Sequence, residues 1–256
     1  MRQEESQQTV RESRHSVGTR EGIGTLYLVG VPIGHPDDLG RRALRVLRSV
    51  DIIATEDPLA TQRLLRRHRA STSLTSYGPA HIKEKVSLLI EQLRRGRSVA
   101  FVSDCGSPVV ADPGSLLVAA AHRNTIPVRS IPGPSALSAA IAAAGFDGDA
   151  GHYYGNLPGS DAALKRKLMV IVKHKEPVVL FVETDRVATV VSFIARETPS
   201  RPLALCENLG LASEHIRKDT ARRIARLLDG AQSSGSITLV MGHGSGSGRR
   251  KKMSGG

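Results

Sequence analysis

Four short segments concentrate the residues able to do chemistry. Thr55-Glu56-Asp57 sets two carboxylates before Pro58. Side chains alternate along a strand, so one can face a cleft and accept a proton from a hydroxyl while the other caps the helix that Pro58 opens. Capping alone also accounts for the pair. Ser103–Gly114 (SDCGSPVVADPG) is denser. Gly106 permits backbone torsions and close approaches that other residues resist, and Pro108 stiffens the residues after it. Asp112-Pro113 reads as an N-cap and first helical residue. A rigid loop carrying Asp104 and Ser107 is more than a cap requires and suits ligand binding. Val29–Pro36 (VGVPIGHP) and Ile131–Ala136 (IPGPSA) are two further stiff turns. In the second, Ser135 can cap a helix or hydrogen-bond a ligand.

Other chemistries find less support. The spacing in Val29–Pro36 is not a dinucleotide fingerprint, and no G-x-x-x-x-G-K-[ST] phosphate loop occurs. The nine histidines include no H-E-x-x-H or similar spacing, so no metal site is expected. Cys105 lacks a His at a recognisable spacing for a nucleophilic pair. His81 opens a helix and reads as a surface residue, a third choice as proton acceptor behind Asp57 and Glu56. Lys165-Arg166-Lys167, with Lys173, His174 and Lys175, can contact phosphates or simply form a solvated face.

These loops need strands and helices to aim them. Apolar runs at Leu26–Gly30, Ile52–Ala54, Leu74, Val99–Val102 and Ile126–Ile131 read as strands. Amphipathic stretches over Leu39–Val50, Leu59–His68, His81–Arg95, Ser115–His122 and Ala136–Ala144 read as helices between them. Continuous apolar strands separated by helices indicate a parallel sheet covered on both faces. The three Pro/Gly loops would then converge on one sheet edge. Gly145–Gly151 breaks the pattern as a domain boundary. A second α/β set comes after it, with strands at His152–Gly155, Val178–Val182, Pro202–Cys206 and Ile237–Met241. Its helices cover Ala162–Lys173, Arg186–Arg196 and Ala221–Leu228, and Ser213–Lys218 alternates. The expected architecture is therefore two successive α/β domains, residues 23–147 and 148–243, between tails 1–22 and 244–256.

Composition bounds the function. With 40% hydrophobic residues the 256-residue chain can build a core, while 3% aromatics and no Trp leave few base-stacking platforms. Two cysteines cannot form a zinc cluster or a disulfide framework, which suits a reducing, cytoplasmic setting. No apolar run spans a bilayer, and residues 1–22 lack the apolar core of a secretory signal. The formal charge is +12. Residues 1–22 sum to zero and Arg249–Lys252 contribute four, leaving +8 on residues 23–248. That surface suits a polyanionic partner.

Leu26–His35 (LYLVGVPIGH), Ile53–Asp57 (IATED), Val102–Gly114 and Ile131–Ala136 together resemble the tetrapyrrole methylase superfamily. Within it they look most like the bacterial branch that 2′-O-methylates a cytidine in small-subunit ribosomal RNA. The resemblance runs from about Gly24 to His243. It implies two α/β domains, S-adenosylmethionine in the cleft between them, and a homodimer. By position it assigns cofactor contacts to Ile33, to Asp104, Cys105, Gly106, Ser107 and Val110, and to Ser135 and Ala136. Strand ends near Glu183 and Leu209 complete the set. It places Asp57 where some members keep a general base, with Glu56 second. The implied reaction is in-line methyl transfer to a ribose hydroxyl of the small ribosomal subunit.

The chain departs from that branch on the substrate side. His35 stands where the branch has Asn, and Pro58-Leu59 where it has Thr-Arg. Its Tyr-His-Glu-His-Asn segment appears as Tyr77–His81, and its Tyr-Glu-Ser-Pro-His-Arg as the shorter Val182–Arg186. Its Arg-Glu-Leu-Thr-Lys becomes Cys206–Gly210. Two other readings stay open: methylation of a tetrapyrrole or corrinoid carbon, and a non-catalytic RNA- or ribosome-binding homologue.

Overall fold

The computed structural model describes residues 22–147, 149–229 and 235–244, so the expected tails lie almost wholly outside the described residues. Five strands form the first sheet: β1 Leu26–Val29, β2 Ile52–Thr55, β3 Leu74–Ser76, β4 Val99–Val102 and β5 Val128–Ile131. Their order is β3-β2-β4-β1-β5, and every pairing is parallel. The helices between them are α1 Arg41–Ser49, α2 Pro58–Arg67, α3 Ile82–Arg94 and α4 Ser115–Arg123. The central strand β4 is buried along its whole length, as a strand covered on both faces must be. Leu26, Leu47, Ile53, Leu65, Leu93 and Leu117 are fully buried in the same unit.

The second sheet runs β6-β7-β10-β8-β9, with β6 His152–Asn156, β7 Val178–Val182, β8 Pro202–Glu207, β9 His215–Thr220 and β10 Ile237–Met241. Only β6 and β7 are parallel; β10 runs antiparallel to both neighbours, and β9 to β8. The final strand in chain order thus sits in the middle of its sheet. Helices α5 Ala136–Ala144, α6 Asp161–Ile171, α7 Val187–Glu197 and α8 Ala221–Leu228 complete this part.

Side-chain alternation splits the second sheet into two faces. Val178, Leu180, Val182, Leu203, Leu205, Ile237, Leu239 and Met241 pack with the apolar stripes of α6, α7 and α8. The opposite face offers Val179, Ala204, Cys206 and Val240, and it receives α5, whose Ala140 and Ala144 are buried there. Small residues on both sides let that Ala-rich helix come close. The compact units are discontinuous in sequence. One gathers the described residues up to Val29, Leu44–Asp104 and Pro113–Ile131; the other gathers Gly30–Ala43, Cys105–Asp112 and the described residues from Pro132 onward. Gly145–Gly151 separates the strands of the two sheets, while α5 packs with the second.

Candidate active site

The loops leaving β1, β4 and β5 meet within the second unit. Val31 donates its amide to the carbonyl of Gly106 at 2.9 Å, and Gly106 returns one to Pro32 at 3.3 Å. The Ser107 hydroxyl reaches the Pro134 carbonyl at 3.3 Å, and the Cys105 thiol lies 3.3 Å from the carbonyl of Ile33. Gly30 and Gly133 press backbone against backbone, so a Cβ on either would lie 2.7 Å from the other's main chain. A Cβ on Gly34 would sit 2.5 Å from Gly210. Only glycine fits such contacts. The convergence expected from the three turns is present, and the segment after β8 joins it.

Apolar packing reinforces the same cluster. Ile33, Ala136 and Leu209 belong to the core layer beneath α5. Gly106, at φ +79°, faces the Ile33 side chain, and Gly210, at φ +78°, faces it as well. Ser135 is the residue before α5 with extended backbone, yet its side chain makes no capping hydrogen bond. Of its two expected uses, capping is not the one adopted. Glu183 is exposed just after β7 and opens the short 3-10 turn Thr184–Arg186. The register sets Val182 and Glu207 against Ile237, so the residues after β7 and β8 leave from one edge of the sheet.

Strain marks the 105–112 loop. Val109 has φ +72° and Ala111 φ +63°, the left-handed region that residues with a Cβ avoid at a cost of about 1–2 kcal/mol. Such outliers persist only where surrounding contacts hold them. Here Asn156 of β6 donates to the Ala111 carbonyl at 3.4 Å. The sequence carries no signal for this, since neither Val nor Ala announces a positive φ. The expected cap Asp112 is corrected: α4 starts at Ser115 behind Gly114, with no side-chain cap. Val110 is exposed on this loop.

The carboxylates belong to the first unit. Asp57 is the N-cap of α2, its Oδ1 accepting the amides of Leu59 and Ala60 at 2.8 and 3.0 Å. Its own amide donates to Asp104 Oδ1 at 2.9 Å, joining the ends of β2 and β4. Beneath it, the buried Thr55 and Thr61 hydroxyls hydrogen-bond at 2.7 Å. Glu56 is half-buried. His81 stands before α3 at φ +56°, exposed and 3.6 Å from Glu84, and takes no part in this group.

Comparison with known proteins places the fold and the motifs together. Residues 25–225 match the family described as Tetrapyrrole (Corrin/Porphyrin) Methylases. A protein of Micromonospora olivasterospora named "Ribosomal RNA small subunit methyltransferase I" is 36% identical over 229 residues, 88% of this chain and 73% of its own length. A Thermotoga maritima protein of the same name is 34% identical over 221 residues, 86% of this chain and 98% of its own. Among solved structures, uroporphyrin-III C-methyl transferase from Thermus thermophilus, complexed with S-adenyl homocysteine, superposes with a TM-score of 0.63. It shares 20% identity, covering 86% of this chain and 97% of that one. With its glycine-locked turns and the described strands β1 to β9 inside the matched span, the chain belongs to the Tetrapyrrole (Corrin/Porphyrin) Methylases, a family of methyltransferases.

Proposed function

We propose that this chain transfers a methyl group from S-adenosylmethionine to a ribose 2′-hydroxyl of small-subunit ribosomal RNA. The observation that carries the reading is the likeness, along 98% of its length, to the Thermotoga protein named for small-subunit ribosomal RNA. The likeness to tetrapyrrole enzymes is weaker in sequence. When bound, the cofactor supplies an electrophilic methyl group on a sulfonium.

The residues present fit such a group. Glycine pairs press the turns backbone to backbone and so hold the loops that would carry the cofactor in fixed register. Ile33, Cys105, Gly106, Ser107, Val110, Ser135 and Ala136 would hold the cofactor, with Asp104, Glu183 and Leu209 contributing from their strand ends. The Ser135 hydroxyl, not used as a cap, is suited to hydrogen-bond it.

Asp57 is the proposed proton acceptor. Two cap amides fix its Oδ1, which orients the carboxylate and leaves Oδ2 for the substrate hydroxyl. Glu56 is the second choice. Exposed basic residues on α1, α6 and α8 would attract RNA phosphate without reading sequence. The chain is proposed to act as a homodimer, on the resemblance of its motifs, and in the cytoplasm, where the unbridged thiols of Cys105 and Cys206 suit a reducing setting.

The test is transfer of labelled methyl from S-adenosylmethionine to small ribosomal subunits lacking the modification, with a panel of tetrapyrroles in parallel. Label in a ribose is the expected result. Label in a tetrapyrrole carbon, or none despite cofactor binding by calorimetry, overturns the assignment.

A further inference from the structure

A second group of chemically able side chains lies elsewhere in the second unit. His152 opens β6, while His174 and Glu176 sit on the segment joining α6 to β7. Each offers one ligand atom, and the three atoms lie within 4.8 Å of one another. The imidazoles of His152 and His174 stack with centroids 3.7 Å apart, and His152 Nε2 is 3.4 Å from Glu176 Oε2. We propose that His152, His174 and Glu176 form a binding site for a divalent first-row transition metal of the zinc class, with its fourth position left to water.

The donor set is two imidazoles and one carboxylate, the composition of open tetrahedral zinc sites. Bonds of about 2.0–2.2 Å would bring ligand atoms to about 3.3 Å apart. The present separations need only side-chain rotation, and His152 and Glu176 are exposed enough to rotate, at 39% and 49%.

The backbone beneath is already fixed. Arg201, 3% exposed, donates to the carbonyls of Val172 at 3.2 Å, His174 at 2.5 Å and Glu176 at 2.9 Å, and to Gly242 at 2.9 Å. Gly244 donates to Lys175 at 2.8 Å, and the His152 amide to Pro177 at 2.8 Å. The Tyr154 hydroxyl pairs with His174 Nε2 at 2.5 Å. With that nitrogen as the donor, Nδ1 keeps its lone pair for a cation, the outer-shell arrangement that orients ligating histidines. A cavity of about 360 Å³, lined by Val172–Lys175 and Glu197–Arg201, adjoins the group.

The surroundings choose the class of ion. Arg201, Lys173 and Lys175 make the neighbourhood positive, so no field gathers a cation here. Binding must come from the donor bonds, which favours nitrogen-loving transition metals over calcium or magnesium. The site also lies away from the cofactor loops. Glu176 precedes β7 and Glu183 comes after it, a span of about 23 Å along an extended strand. H-x-x-x-H motifs could not reveal it, because the two histidines come from a strand and from a loop past the next helix.

The full chain, prepared without a polyhistidine tag and stripped with chelator, is titrated with Zn²⁺ against a chromophoric competitor. Co²⁺ is added in parallel and followed by its visible absorption. One equivalent should bind, with a tetrahedral cobalt spectrum, and Mg²⁺ should not compete. His174→Ala and Glu176→Gln should weaken binding by at least about 100-fold, and Tyr154→Phe, which leaves all three ligands in place, by about 10-fold. Thermal melts without metal identify any variant that fails to fold, and the Glu176→Gln and Tyr154→Phe results stand independently of His174→Ala. No uptake by the wild-type chain overturns the proposal. So does uptake unchanged in folded Glu176→Gln and His152→Ala proteins.

Discussion

Asp57 caps α2 and is also the proposed proton acceptor, and substitution separates the observed role from the proposed one. Asparagine caps a helix as well as aspartate does, whereas alanine forfeits about 1 kcal/mol. Asp57→Asn should therefore melt within a degree or two of the wild type yet turn over about 10²–10⁴-fold more slowly, the range for losing a positioned base. Asp57→Ala should lose both activity and stability. Equal turnover of the wild type and Asp57→Asn would remove Asp57 as the base. The two thiols are a second pair to separate. Cys206 is buried among the residues beneath α5, and burial, with Glu214 nearby, pushes its thiol up to about 11. Only the thiolate reacts, so iodoacetamide near pH 8 should leave Cys206 untouched while modifying exposed Cys105. Peptide mass spectrometry reads both sites. S-adenosylmethionine should slow labelling of Cys105, and labelling at an unchanged rate would argue against that residue's place in the cofactor loops.

At the scale of elements, the turns matter more than the strands they extend. Gly30→Ala would put a Cβ 2.7 Å from the Gly133 main chain, where neither backbone has a flexible end to yield. A loss of roughly 2–3 kcal/mol in denaturant unfolding is expected, at the upper end for overpacking, together with weaker cofactor binding by calorimetry. A Gly30→Ala protein matching the wild type in both would mean that the turns can separate freely. These turns were legible because Pro and Gly restrict or free the backbone by their own chemistry, and the helices because apolar residues recur at 3.6-residue spacing. Strand direction was legible in the first sheet, which is parallel as its apolar strands between helices implied, but not in the second. Ser213–Lys218 alternates in the way any half-buried strand does, and the observed His215–Thr220 is antiparallel because β8 lies beside it. Nor could Ala136–Ala144 declare which sheet it covers, since an alanine stripe suits any close-packed face. The His152, His174 and Glu176 group was missed because their nearness is created by pairing β6 with β7.

Across the whole molecule, charge and topology set behaviour that no single residue explains. The surface carries exposed Arg41, Arg42, Arg45 and Arg48 on α1, Lys165 and Arg166 on α6, and Arg222, Arg223 and Arg226 on α8. If such residues neutralise RNA phosphates, log affinity should fall linearly with log salt, by about 0.7–0.9 for each contact. Replacing Lys165 and Arg166 with Gln together should flatten that slope by roughly 1.5 while leaving cofactor affinity as it was. A filter-binding series across salt concentrations checks this, and an unchanged slope would return α6 to a solvated face. The position of β10 has a consequence for the order of events during synthesis. β7 and β8 have no hydrogen bonds to each other in the observed sheet; both pair with β10, which is translated after them. In a growing chain β7 and β8 therefore lack the strand that joins them until Ile237–Met241 has been made. The turns gathered into the same compact unit must wait with it, so a nascent chain stalled before Ile237 should expose this core to chaperones even though the parallel sheet is already complete.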